Sequence, residues 1–350
     1  MKEFGTTRPL VERCVFVLCV TATLHVQAPP AHVVTAKAQA PHLSERRSFA
    51  MKHHRFPRLA PLLLALLLVI LSVPCRGNEF SKPPVNQAPV NGISLGYRVL
   101  GQGPPLLLIT GYGATMDVWD PTLVERLALS FQVIAFDNRG MGTSSASETS
   151  FSYALFASDA LGLLDYLRIP SAHVLGWSMG SCIAQELALK APHRTGKLIL
   201  YASAPDSTEI VKVLDRLGTL KPEELMGMMF PKPWLDGHPG IFERLPAPAQ
   251  APDPAIIARQ RKAIEQWTGT RERLGTLHKD TLLLVGEEDF ITPPAHSLAL
   301  AGLIPGAWLV KFRQGGHWLM YQSPERMARI ITSFLKTNPD QGEPQPPTAQ

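Results

Sequence analysis

The chain has 350 residues, 45% of them hydrophobic, which reads as a globular protein with appendages, built from one or two domains. Its formal charge of +5 hints at an acidic partner, but residues 1–77 hold 10 of the 34 Lys and Arg and only 3 of the 29 Asp and Glu. From residue 78 onward the balance is −2, so nucleic-acid binding through a basic face is not expected of the folded part.

In residues 1–50, Lys2, Arg8 and Arg13 precede a modest apolar run from Cys14 to Val20 that dissolves into Ala, Pro, Gln and His. The segment reads as disordered, or as the product of a start placed too far upstream, with Met51 the true start. Residues 51–77 have the three-part form of a secretory signal peptide. Lys52, Arg55 and Arg58 are basic, Leu59 to Val73 is an apolar stretch of 15 residues, and Cys75 and Gly77 are small enough to flank a cleavage site. The stretch is shorter than a membrane span requires, although an uncleaved anchor and a lipid on Cys75 are the alternatives. Export to the periplasm or the exterior is expected, with membrane contact only through this leader. The cysteines stand at 14, 19, 75 and 182, so beyond the leader there is a single one and no disulfide framework or metal-ligand spacing.

From about residue 90 apolar runs alternate with helical spacing. Strands are expected at 93–100, 104–109, 131–136, 172–175, 197–201, 281–286 and 308–312. Helical spacing is carried by Val118, Leu123 and Leu127, then by Leu155 to Leu167, then by Ile183, Leu187 and Leu189, with a closing helix near 324–335. This alternation predicts an α/β protein with a mainly parallel sheet covered on both faces. The rhythm breaks over 206–280, which holds helical patterns and proline clusters but no clear strand. The core is therefore divided into 78–205 and 281–336, and 337–350 reads as a disordered tail.

Chemistry gathers at strand ends. Gly176-Trp177-Ser178-Met179-Gly180 places a serine between a short buried strand and a helix, where a sharp turn lifts Oγ toward a base. An ordinary helix N-cap serine is the bland alternative. Asp289 follows the strand at 281–286, and His317, after Gly315-Gly316, follows the strand at 308–312. His317 is expected to act as general base on Ser178, with Asp289 fixing its tautomer; Asp206, after the strand at 197–201, is the rival acid. Thr110-Gly111-Tyr112-Gly113 follows another strand. The backbone N–H groups of Tyr112 and Met179 are the expected oxyanion donors.

Together with Asp137-Asn138-Arg139-Gly140-Met141-Gly142-Thr143-Ser144, these blocks resemble the α/β-hydrolase superfamily over about 90–336, within its group of lid-bearing esterases, haloperoxidases and C–C hydrolases. The resemblance implies an α/β-hydrolase fold with 206–280 as a helical cap, a chiefly structural role for the 137–144 loop, and an acyl-enzyme mechanism. It disfavours the members with an aspartate nucleophile. Thr110 stands where many members carry histidine and Ser181 where a third elbow glycine is common. In the cap, Met226, Met228, Met229, Phe230, Trp234 and Trp267 are candidates for an apolar acyl pocket, or for plain cap packing.

The expectation is a serine hydrolase acting on a carboxylic ester or related small acyl substrate, with no cofactor and no metal. A cofactor-free perhydrolase or haloperoxidase, or a C–C bond hydrolase, is the alternative within chemistry. A ligand-binding receptor on the same fold is the alternative outside it.

Overall fold

The structure, a computed structural model, describes residues 82–246 and 251–337. The segment 1–50, the leader at 51–77 and the tail beyond Thr337 lie outside the described residues. Eight strands form one sheet: β1 (Asn86–Val90), β2 (Ile93–Leu100), β3 (Pro105–Ile109), β4 (Gln132–Phe136), β5 (Ala172–Trp177), β6 (Thr195–Tyr201), β7 (Thr281–Gly286) and β8 (Trp308–Phe312). Their spatial order is β1-β2-β4-β3-β5-β6-β7-β8. β1 and β2 pair antiparallel with each other and β2 with β4, while every pairing from β4 across to β8 is parallel.

The unbroken apolar runs of the inner strands have a simple cause. Parallel strands here are covered on both faces, so neither set of alternating side chains meets water. Leu107 and Ile109 of β3 join one core layer with Val174, Leu198, Leu200 and Leu283. Leu106 and Leu108 join the opposite layer with Leu175, Ile199, Leu282 and Leu284. Helices α2 (Tyr153–Tyr166) and α3 (Met179–Lys190) close the first layer through Phe156, Leu163, Ile183 and Leu187. On the other side α1 (Pro121–Ala128) supplies Leu123 and Leu127.

The region after β6 is helical, with α4 (Thr208–Leu217), α5 (Pro222–Met229), α6 (Lys232–Gly237), α7 (Ile241–Arg244) and α8 (Pro254–Gln266). Then α9 (Pro294–Leu303) follows β7, and α10 (Leu319–Gln322) and α11 (Pro324–Lys336) follow β8. No described helix is long and apolar enough to cross a membrane.

Three details depart from the sequence expectation. β1 is an edge strand containing Pro89, a residue that weakens a strand signal and is tolerated where one side needs no partner. Val118 does not belong to α1 but to a separate 3-10 turn, because Pro121 takes the first helical position and the Asp120 carboxylate caps it by accepting from Leu123 N–H at 3.1 Å. α9 has no counterpart in the sequence expectation, its apolar residues after two prolines lacking a helical period.

Candidate active site

β5 ends at Trp177, and the next residue, Ser178, has φ 54° and ψ −123° before α3 begins. A positive φ is strained for a residue with a β-carbon, and the surroundings enforce it. Ser178 N–H donates to Tyr201 C=O of the neighbouring strand at 3.0 Å, and Ser181 N–H donates to Ser178 C=O at 2.9 Å. The turn also needs bare backbone on each side. A β-carbon at Gly176 would lie 2.3 Å from Gly180 C=O, and one at Gly180 would lie 2.2 Å from Ile109 C=O. The Gly-x-Ser-x-Gly spelling is thus the steric condition for bringing strand, turn, helix and β3 together.

The turn puts Ser178 Oγ 3.1 Å from His317 Nε2. On the other side of the ring, His317 Nδ1 lies 2.9 Å and 3.1 Å from the two carboxylate oxygens of Asp289. Asp289 is 2% exposed and His317 3%, so the pair is shielded from water. The carboxylate is compensated by further donors. Ile291 and Thr292 N–H reach Oδ1 at 2.9 and 2.8 Å, and the Thr292 hydroxyl reaches Oδ2 at 2.8 Å. A carboxylate in its ionised form only accepts, so the tautomer that fits this contact has its proton on Nδ1 and its lone pair on Nε2, toward Ser178. The backbone of His317 is pinned as well, its carbonyl accepting from Tyr201 O–H at 2.6 Å and from Trp177 Nε1 at 3.3 Å. The arrangement can move a proton from hydroxyl to imidazole without rearrangement.

Asp206 is not part of this cluster. Its carboxylate accepts from Arg271 at 3.1 and 3.3 Å and from Thr208 N–H at 3.2 Å. Burial works against its charge, but these hydrogen bonds prevail and hold the carboxyl below its ordinary value.

Tyr112 and Met179 flank Ser178 in a small chamber. Met179 is the first residue of α3, so its N–H has no acceptor within the helix. The loop carrying Tyr112 is fixed from three sides. Ala114 N–H donates to Gly111 C=O at 3.3 Å, and Gly113 N–H donates to Gln260 Oε1 of α8 at 2.9 Å. From beneath, the Asn138 amide donates to Thr110 C=O and hydroxyl, each at 3.1 Å. Thr110 thereby has a structural partner of its own. Ser181 likewise donates to Ser203 Oγ at 2.7 Å in a buried polar cluster.

The 137–144 loop is a scaffold. Asp137 accepts from Met116 N–H at 2.6 Å and from the Thr143 N–H and hydroxyl at 2.8 Å each, burial pushing its carboxyl up against these bonds. Arg139 is buried in a two-pronged pair with Asp159, at 2.9 and 2.7 Å.

Above Ser178 lies a chamber of about 340 Å³ with Trp177, Leu214, Met229, His317 and Trp318 in its walls. Arg261 and Asp215, paired at 2.6 Å, also line it. Of the six cap residues offered for an apolar pocket, Met229 lines this chamber and Trp267 the small one. Met226, Met228 and Phe230 are buried in the core instead, and Trp234 stacks on Phe230 at 5.0 Å. Thr292, Tyr201, Gln260 and Arg261 were not singled out from sequence. Only Thr292, three residues after Asp289, carried a local signal, that of a hydroxyl positioned to bond back to a turn carboxylate. No cluster of three or more His, Cys, Asp or Glu side chains that could hold a metal occurs among the described residues.

The fold agrees with comparison to known proteins. The family profile of the alpha/beta hydrolase fold matches residues 104–233. The 2-hydroxymuconate semialdehyde hydrolase of Pseudomonas sp. (strain CF600) is 30% identical over 264 residues, 70% of this chain and 91% of the relative. Among solved structures, a hydrolase from Pseudomonas aeruginosa PA01 superposes with a TM-score of 0.64 at 28% identity, covering 75% of this chain and 100% of that one. A thermophilic esterase from Thermogutta terrifontis superposes with 0.63 at 26% identity, covering 72% and 98%. The chain belongs to the alpha/beta hydrolase family, and at that level it is a hydrolase.

Proposed function

We propose that the chain is a serine hydrolase that cleaves a carboxylic ester or related small acyl compound through an acyl-enzyme. The observation that carries this reading is the continuous path from Ser178 Oγ through His317 to Asp289. In acylation His317 Nε2 takes the Oγ proton as Oγ bonds to the substrate carbonyl carbon, and the carbonyl electron pair moves onto oxygen. The N–H groups of Tyr112 and Met179 stabilise that oxyanion. When the carbonyl reforms, the bond to the leaving oxygen breaks and that oxygen takes the proton from Nε2. Water then repeats the sequence on the acyl carbon, giving the carboxylic acid and restoring Ser178. Asp289 holds the tautomer and stabilises the imidazolium without being protonated. Stopped-flow mixing with p-nitrophenyl acetate should give a burst of p-nitrophenolate close to one equivalent per enzyme, or steady turnover that needs Ser178. Neither burst nor turnover would count against the reading.

A C–C bond hydrolase with the same three residues is the second reading. It is supported by the relatives named 2-hydroxymuconate semialdehyde hydrolase and 2-hydroxy-6-oxo-6-phenylhexa-2,4-dienoate hydrolase. Loss of absorbance from a dienoate of that kind, with no turnover of esters, would favour it. Export of the enzyme through the leader at 51–77 is also proposed, on its sequence pattern alone.

A further inference from the structure

Ser178 stands between two chambers of very different size, and the proton relay fixes which part of an ester each one takes. The larger holds about 340 Å³ and the smaller about 30 Å³; Ser178 and Tyr112 lie in the walls of both. A water-sized group needs roughly 10–15 Å³ on this measure, so the small chamber has room for about two heavy atoms. His317 lines the large chamber and does not line the small one. Because Nε2 must hand its proton to the leaving oxygen, the leaving group has to lie on the histidine side, in the large chamber. The acyl substituent points away from that oxygen, past Met179 and into the small chamber, whose walls include Cys182, Ile264 and Trp267.

Those walls are not free to retreat. Trp267 stacks on buried Tyr153 at 4.6 Å, its indole N–H donates to Glu186 at 2.8 Å, and its carbonyl accepts from Ser207 Oγ at 2.7 Å. Ile264 and Cys182 are 1% and 5% exposed within the same core layer.

We infer that the preferred substrates are esters of a very short acid, of acetyl or propionyl size, with a bulky, largely apolar alcohol. This rests on the serine-hydrolase reading and adds its substrate class.

Octyl acetate and methyl nonanoate are isomers, so their comparison holds overall apolarity constant while exchanging the sides of the ester. Octyl acetate should be cleaved with a kcat/KM higher on the order of 100-fold, since a methylene that does not fit costs about tenfold or more. Enlarging the small chamber should then raise hexanoate turnover relative to acetate by roughly tenfold. Ile264→Ala tests this, with Cys182→Ala as the milder change should the first fail to fold. Equal rates for the isomers, or preference for methyl nonanoate, would overturn the inference and leave the serine-hydrolase reading standing. Cleavage of neither ester overturns it as well, and labelling of Ser178 by a fluorophosphonate then shows whether the underlying reading survives.

Discussion

Asp289 and Asp206 are the same side chain at the ends of adjacent strands, and their surroundings give them different work. Asp289 is buried with its oxygens divided between two backbone N–H groups, the Thr292 hydroxyl and the His317 ring, whereas Asp206 is partly exposed and turned toward Arg271. Asp289→Asn should keep the shape but favour the wrong imidazole tautomer, for which a loss of about 10⁴-fold in kcat is the serine-protease precedent. Asp206→Asn should change kcat several-fold at most; steady-state kinetics of the two variants side by side, with the order reversed, would move the acid to Asp206. Cys182 offers a second test at this scale. Burial pushes its thiol up to about 12, so at pH 8 it is almost wholly protonated and a poor nucleophile. Peptide mass spectrometry should find Cys182 unmodified after iodoacetamide treatment of the native protein and modified after unfolding; rapid native alkylation would show that the small chamber is open. At this scale Ser178, Asp289 and His317 were legible because each sits in a glycine-flanked turn beside an apolar strand. Tyr201 was not, since its hydroxyl acts on a carbonyl 116 residues away.

The elements that hold these residues are fastened by pairs remote from the chemistry. Arg139 and Asp159, both 1% exposed, tie the loop after β4 to α2, and Asn91 donates a further hydrogen bond to Asp159 at 2.9 Å. Asp159→Ala would leave the guanidinium buried without its counter-charge, bonded to the Ser147 hydroxyl and the Asn91 carbonyl, a change that typically costs about 3–5 kcal/mol. Urea titration should show a midpoint lowered accordingly with the slope unchanged, and a shift under about 1 kcal/mol would mean that water or another acceptor replaces the carboxylate. The inner strands were readable as apolar runs because both faces are covered. The helical segment after β6 was readable as helical patterns without strand rhythm, and Met229 and Trp267, named from composition, do line the two chambers. Its contributions to the site, Leu214, Gln260 and Arg261, come from helices whose contacts are tertiary, and amphipathic spacing does not say which turn will meet Gly113.

Along the whole sequence the excess of basic residues lies in 1–77, ahead of a remainder with a balance of −2. The leader at 51–77 carries the signal-peptide pattern, and cells that export the protein should release a product beginning near Asn78. N-terminal sequencing of the mature protein checks this, and a product retaining residues 51–77 would contradict cleavage. Ser178, Asp289 and His317 stand in the turns after the carboxyl ends of the parallel strands β5, β7 and β8, and Tyr112 in the turn after β3. Attack by Ser178 Oγ is therefore tested most directly by mass spectrometry of the protein after reaction with a fluorophosphonate probe. One adduct per chain is expected, located on Ser178 and absent from a folded Ser178→Ala variant. An adduct that persists in that variant, or one located on another residue, would contradict it.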